Sequence, residues 1–241
     1  VSMGDIIRAA KALGPLDQNF KCQYCGKAFV RENTLTSHMC EQKRRHMQKG
    51  EKGVQFGYYA YLKFYQFTQA KNATRNYEDF AKSPYYSAFV KFGRHIQAID
   101  AVAPERYIEW IIKANKKLDY WCKDEFYVEY LSSYLKTENT QDALERSIVE
   151  MGTWAEQNSS RVCDFFRYAN TNRITQLVTN GRISPWAIYC SNSGVEMLEK
   201  LAPEQVALVF PWIDPDYWQK RLKAYPADTV WCKDIMREAG F

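Results

Sequence analysis

Glycine and proline are scarce in this chain, with 11 Gly and 8 Pro among 241 residues. That excludes collagen-like and low-complexity classes. No uncharged apolar stretch approaches the ~20 residues needed to cross a bilayer, so no transmembrane helix is predicted. The opening residues, 1–8, lack a basic segment followed by a continuous apolar run. No secretory signal is therefore expected, and the expected location is cytoplasmic. Histidine is rarer still, at three residues, and His95 is the one that lies beyond residue 50. A Gly-rich phosphate loop, a nucleophile elbow and a His-Glu-x-x-His helix are all missing. A non-enzymatic role is expected.

What the chain has is apolar material. Hydrophobic residues make up 46% and aromatics 15%, enough to exclude a disordered chain, which cannot bury the surface that offsets its entropy. Apolar residues recur at three- and four-residue spacing over 58–67, 85–99, 107–114, 126–135, 143–154, 165–177 and 206–212, the period of an amphipathic helix. Helix starts are signalled at Ser83-Pro84, Ala103-Pro104, Asn139-Thr140, Ser184-Pro185 and Ala202-Pro203. Proline suits a first helical position because its missing N–H would be unpaired there anyway. Residues 20–30 read as a short hairpin, and residues 32–49 as helix. The predicted fold is mainly α: a small ββα-type module followed by a larger all-helical domain. The boundaries are 1–19 for an N-terminal segment, 20–50 for the module with its basic helical extension, and 54–241 for the helical domain. Gly50 and Gly53 mark the junction.

Charge is uneven. Residues 1–53 hold ten Lys/Arg against five Asp/Glu, whereas 54–241 hold 23 of each. All of the net +5 lies in the first fifth of the chain, an electrostatic handle for an acidic partner or else a solvated basic face.

Seven cysteines fall into a cluster of Cys22, Cys25 and Cys40 and four scattered residues, Cys122, Cys163, Cys190 and Cys232. An odd count with one tight group fits metal binding in a reducing compartment rather than a disulfide framework. The scattered four read as buried free thiols. Residues 20–38 run Phe20-x-Cys22-x2-Cys25-x3-Phe29-x5-Leu35-x2-His38. This resembles the zinc finger whose ligands are a Cys pair and a His pair, as far as the first histidine. The spacing makes physical sense. Two thiolates on a hairpin turn grip Zn²⁺ from one side, and a helix returns an imidazole from the other. Phe29 and Leu35 fill the small core between them. So small a unit is normally unfolded without its metal.

The second histidine of that pattern is missing, since positions 42–44 are Gln42, Lys43 and Arg44. His46 stands eight residues past His38, about 12 Å along a continuous helix and too far to share an ion. Cys40 can reach only if the helix tightens or ends near His38. Cys40 is the better fourth ligand, with Glu41 and His46 as fallbacks, and His46 needs a helix break.

Should the finger dock as its relatives do, Arg31, Thr34 and Ser37 align with the base-reading positions. Arg31 has the fork that pairs with guanine. Lys43, Arg44, Arg45 and Lys49 offer phosphate contacts without reading sequence. Two functional readings follow. One is a zinc-binding protein on DNA or RNA with the helical body as scaffold. The other is an adaptor whose finger docks on a replication or transcription protein. Neither involves a membrane, and the oligomeric state is open.

Elsewhere the residues read as structural. His95 reads as a half-buried structural histidine, Asp214-Pro215-Asp216 as a turn, and the aromatics of 58–65 as a core stripe rather than a base-stacking platform. Three body segments, Ser83 to Gly93, Gly181 to Trp186 and Trp212 to Trp218, resemble uncharacterised proteins of large contractile-tailed bacteriophages. Those proteins also begin with a finger-like Cys pair. The likeness implies a protein of the infected host's cytoplasm and brings no established activity.

Overall fold

A computed structural model of the chain describes residues 3–4, 20–69 and 74–241. Most of the expected N-terminal segment over 1–19 lies outside the described residues. Among the described residues the fold is mainly helical, with one two-stranded sheet near the start. Contacts divide it into two compact units, Val1–Cys122 and Lys123–Phe241. The finger is thus grouped with the helices up to Cys122, whereas the sequence pattern sets it apart from a single domain over 54–241.

In the first unit, β1 (Phe20–Lys21) and β2 (Ala28–Phe29) pair antiparallel, Phe20 opposite Phe29. The turn between them places Gly26 at φ 73°, a left-handed conformation that suits glycine. Helix α1 (Glu32–Ser37) follows, then α2 (Glu41–Met47), a 3₁₀ turn and the long α3 (Lys52–Thr68). The expected continuous helix over 32–49 is therefore broken at 38–40. Thr36 and Ser37 donate their hydroxyls to the carbonyls of Glu32 and Asn33, four residues back. Such back-bonding competes with helix propagation. His38 then turns extended, and Cys40 caps α2 by accepting the Lys43 N–H on its sulfur.

Helix α4 (Tyr77–Lys82) starts with a reciprocal Asn76–Asp79 capping box. Helix α5 (Tyr86–Ala98) begins two residues beyond Pro84, because the Ser83 hydroxyl first accepts the Tyr85 N–H in a turn. Helix α6 (Pro104–Lys113) starts at its proline as read from the sequence. Tyr61, Phe80, Phe89, Phe92, Tyr107 and Trp121 form a buried aromatic core, with Trp121 wedged edge-on against Phe89 and Phe92. Phe67, two residues beyond the stripe predicted as core, is exposed at the end of α3.

Helices α3 and α5 come into direct backbone contact at Gly53, Gly57 and Gly93. A Cβ on Gly93 would lie 2.0 Å from the Gly53 carbonyl oxygen and 2.4 Å from the Gly57 nitrogen. Gly53 is inside α3, where its missing Cβ admits the neighbouring helix. Two backbones approach this closely only where both helices carry glycine.

The second unit runs from α7 (Asp124–Thr137) and α8 (Thr140–Asn158) through short helices to Pro203–Ile213, Pro215–Ala224 and Pro226–Glu238. The predicted helix over 165–177 is two, Phe165–Tyr168 and Thr171–Thr179, because Asn170 caps a new start by accepting the Asn172 N–H. Asp214 likewise caps the helix that begins at Pro215. Trp186 and Trp218 meet edge-on in the core. Beside them Glu138, fully buried, is held by Arg146 at 2.8 Å and by the Ser184 hydroxyl at 3.0 Å. Burial raises the Glu138 pKa above the usual carboxylate value even so, with Arg146 opposing the shift. No helix among the described residues is long and apolar enough to cross a membrane.

Candidate metal centre

The hairpin turn presents Cys22 and Cys25, the end of α1 presents His38, and the start of α2 presents Cys40. Their ligand atoms all lie within 4.8 Å of one another. Cys22 Sγ is 3.9 Å from Cys40 Sγ, and Cys25 Sγ is 3.3 Å from His38 Nε2. A tetrahedral zinc ion with Zn–S near 2.3 Å sets its sulfurs about 3.8 Å apart. Three sulfurs and one imidazole at this spacing fit a structural Zn²⁺ site, in which all four positions come from the protein.

The helix break is what completes the set. With α1 ending at Ser37, Cys40 reaches the same space as His38 although only Met39 separates them. Backbone N–H groups at the turn assist. Burial raises the Cys22 pKa, but the amides of Cys25 and Tyr24 and the thiols of Cys25 and Cys40 outweigh it, leaving the value below that of a free thiol. The Lys27 amide lowers the Cys25 pKa, but burial and the neighbouring Cys22 sulfur prevail and raise it. A divalent cation bound at these sulfurs would favour their thiolate forms. Phe29 packs its ring 4.7 Å from that of His38, which fixes the imidazole's orientation.

The two fallback ligands are engaged elsewhere. Glu41 pairs with Arg45. His46 donates its Nδ1–H to the Gln42 carbonyl and packs between Tyr24 of the turn and Tyr77 of α4. His46 thus packs the finger turn against the helical part of its unit.

The residues expected to touch nucleic acid are placed differently from one another. Arg31 and Thr34 are exposed, and Ser37 is exposed with its hydroxyl returned to the helix backbone. Lys43 donates to the His38 carbonyl at 3.2 Å. Arg45 is only 13% exposed. It donates to the Ala81 carbonyl at 2.6 Å and lies 4.3 Å over the Tyr86 ring, while Tyr77 donates its hydroxyl to the Arg45 carbonyl. Lys49 is exposed, with its ammonium 5.1 Å over the Tyr77 ring. Arg44 is exposed and has no partner among the described residues. The basic run therefore splits into residues that build the finger onto α4 and α5 and residues that face water. That split could not be read from composition, because it depends on helices forty residues away.

No family model, curated protein or solved structure matches the chain.

Proposed function

We propose that the chain is a zinc-dependent, non-enzymatic nucleic-acid-binding protein, with its helical units as scaffold. The carrying observation is the convergence of Cys22, Cys25, His38 and Cys40 in a module that also holds all of the chain's net charge. A bound zinc would order the turn and α1 together, and so hold Arg31 and Thr34 in one exposed register. Arg31, with no partner among the described residues, is free to fork onto a guanine edge. Arg44 and Lys49 would neutralise phosphates, while Lys43 and Arg45 contribute field rather than direct contact. One finger spans about 3 bp, so weak, salt-sensitive binding with modest base preference is expected.

The exposed apolar side chains of Val30, Met39 and Met47 favour a second reading. In it the finger is an adaptor that docks on a replication or transcription protein. A reducing cytosolic setting, where thiols stay available to metal, is part of this proposal.

Fluorescence anisotropy of zinc-loaded full-length protein against mixed-sequence duplex DNA and single-stranded RNA, over a salt series, tests the first reading. Affinity that falls linearly with log salt supports it. Absence of binding at low salt overturns it and leaves the adaptor.

A further inference from the structure

Helix α2 leaves the metal centre at Cys40 and runs beside the start of α5. A cleft of about 400 Å³ lies between them, within the size range of ligand sites. Its wall on α2 carries Arg44 and Arg45, and its wall on α5 carries Lys91 and Arg94. The one carboxylate lining it is Glu41, which is already paired with Arg45. Arg45 itself is spent on the Ala81 carbonyl and the Tyr86 ring and forms the floor. Arg94 shares Glu51 at 2.9 Å but keeps half of its side chain in water. Arg44 and Lys91 are exposed and form no ion pair among the described residues, although the Lys91 charge opposes the upward push of burial on the Cys122 thiol. Gln48 and the Ser87 hydroxyl add neutral hydrogen-bonding groups to the rim.

We infer that this cleft is a phosphodiester-binding groove, in which Arg44, Lys91 and Arg94 clamp the backbone of the nucleic acid that the finger engages. The inference rests on the nucleic-acid reading above and extends it from the finger to α5. Arg44 and Lys91 bring positive charge to the two walls of the cleft and Arg94 adds a half-exposed guanidinium paired with Glu51, so the cleft favours an anion. Arginine presents a planar fork suited to a phosphate and lysine a point charge, so the set can follow a backbone without reading bases. The glycine-mediated crossing of α3 and α5 holds Lys91 and Arg94 in place, while Cys40 starts the helix that carries Arg44. Zinc at the start of α2 and the groove along its length would then act on one strand. Lys91 and Arg94 carry little signal of this in the sequence, since residues 54–241 are net neutral and their own segment reads as amphipathic helix.

The test uses zinc-loaded full-length protein and the same labelled DNA and RNA over a salt series. Lys91→Ala is expected to flatten the log–log salt slope by about 0.7–0.9. Lys91→Glu is expected to weaken binding at low salt by at least about tenfold. Lys220→Glu, an equal change of charge on an exposed residue of the second unit, is expected to stay within about twofold. Zinc content and melting temperature should match the parent in all three. If Lys91→Glu binds like the parent while Arg31→Ala weakens binding, the groove is refuted and the finger reading survives. If the parent binds neither nucleic acid, the finger reading fails and takes the groove with it. Calorimetry with inorganic phosphate alone supplies the remaining arm. Tight, Lys91-dependent binding of free phosphate would make the cleft a small-anion site and overturn the backbone assignment.

Discussion

Replacing Gly93 by alanine puts the α3–α5 crossing to a quantitative test. The added methyl would sit 2.0 Å from the Gly53 oxygen and 2.4 Å from the Gly57 nitrogen, whereas ordinary contact begins near 3.4 Å. Both obstacles are backbone atoms of α3, so no rotamer change relieves them. The helices must part by about 1.4 Å, and a gap of 0.5–1 Å already forfeits a quarter to a half of each dispersion contact along the seam. Overpacking costs about 1–3 kcal/mol in general, and a site with backbone on both sides belongs at the upper end. Against this, alanine in a helix interior gains about 0.5–1 kcal/mol over glycine. The net expectation is a loss of about 2 kcal/mol, or roughly 10 °C in melting temperature for a unit of this size. Gly152, on α8, has nothing within 4 Å of its would-be Cβ. There the same substitution should stabilise by about 0.5–1 kcal/mol. Thermal and urea denaturation by circular dichroism, with hydrogen exchange on the α5 amides as the local probe, reads both variants. A Gly93→Ala protein that melts at or above the parent, with α5 protection unchanged, would refute the close crossing. It would also remove the support that positions Lys91 and Arg94.

Elemental analysis of purified protein should give one zinc per chain, and well under one in the absence of chelators would refute the metal centre. Cys40→Ser should lower zinc retention more than His46→Ala, since His46 lies between Tyr24 and Tyr77 rather than with the ligands; the reverse ranking would hand His46 the fourth position. Arg31→Ala should cost about 1–3 kcal/mol at one preferred base and little elsewhere, measured on a panel of single-base variants. Replacing Lys43, Arg44 and Arg45 together should flatten the salt slope by about one unit, because Arg44 alone of the three is free; a fall of about three units would mean that Lys43 and Arg45 leave their internal partners to reach phosphate. Arg146→Ala should destabilise the second unit by about 3–5 kcal/mol at neutral pH, because it leaves Glu138 buried and unpaired. That loss should shrink in acid. Burial already raises the Glu138 pKa, so the folded state keeps its proton to higher pH than the unfolded state, and stability falls as pH rises above the ordinary carboxylate value. A loss that is equal at both pH values would contradict this assignment.

Local chemistry determined the parts of this protein that depend on neighbours in the chain. The Cys22, Cys25 and His38 spacing announced the metal centre, because a hairpin turn and a short helix are built from adjacent residues. Pro104, Pro185 and Pro203 sit at the first helical positions they signalled, and Asn139 caps the helix after it, since capping is decided within one turn. The mainly helical class followed from periodicity for the same reason. The fourth ligand stood partly outside that reach. Cys40 was a candidate on spacing, but the break that lets it in depends on side chains bonding back to the α1 carbonyls and on where α2 starts. Tertiary structure alone decided the roles of the basic run. Arg45 and Arg44 are neighbours of identical type, yet one is held at the Ala81 carbonyl and the other faces water. Gly53 reads as punctuation in the chain, and only α5, forty residues on, makes it a packing surface. Contacts across such separations obey shape and register between helices, which no window of adjacent residues contains.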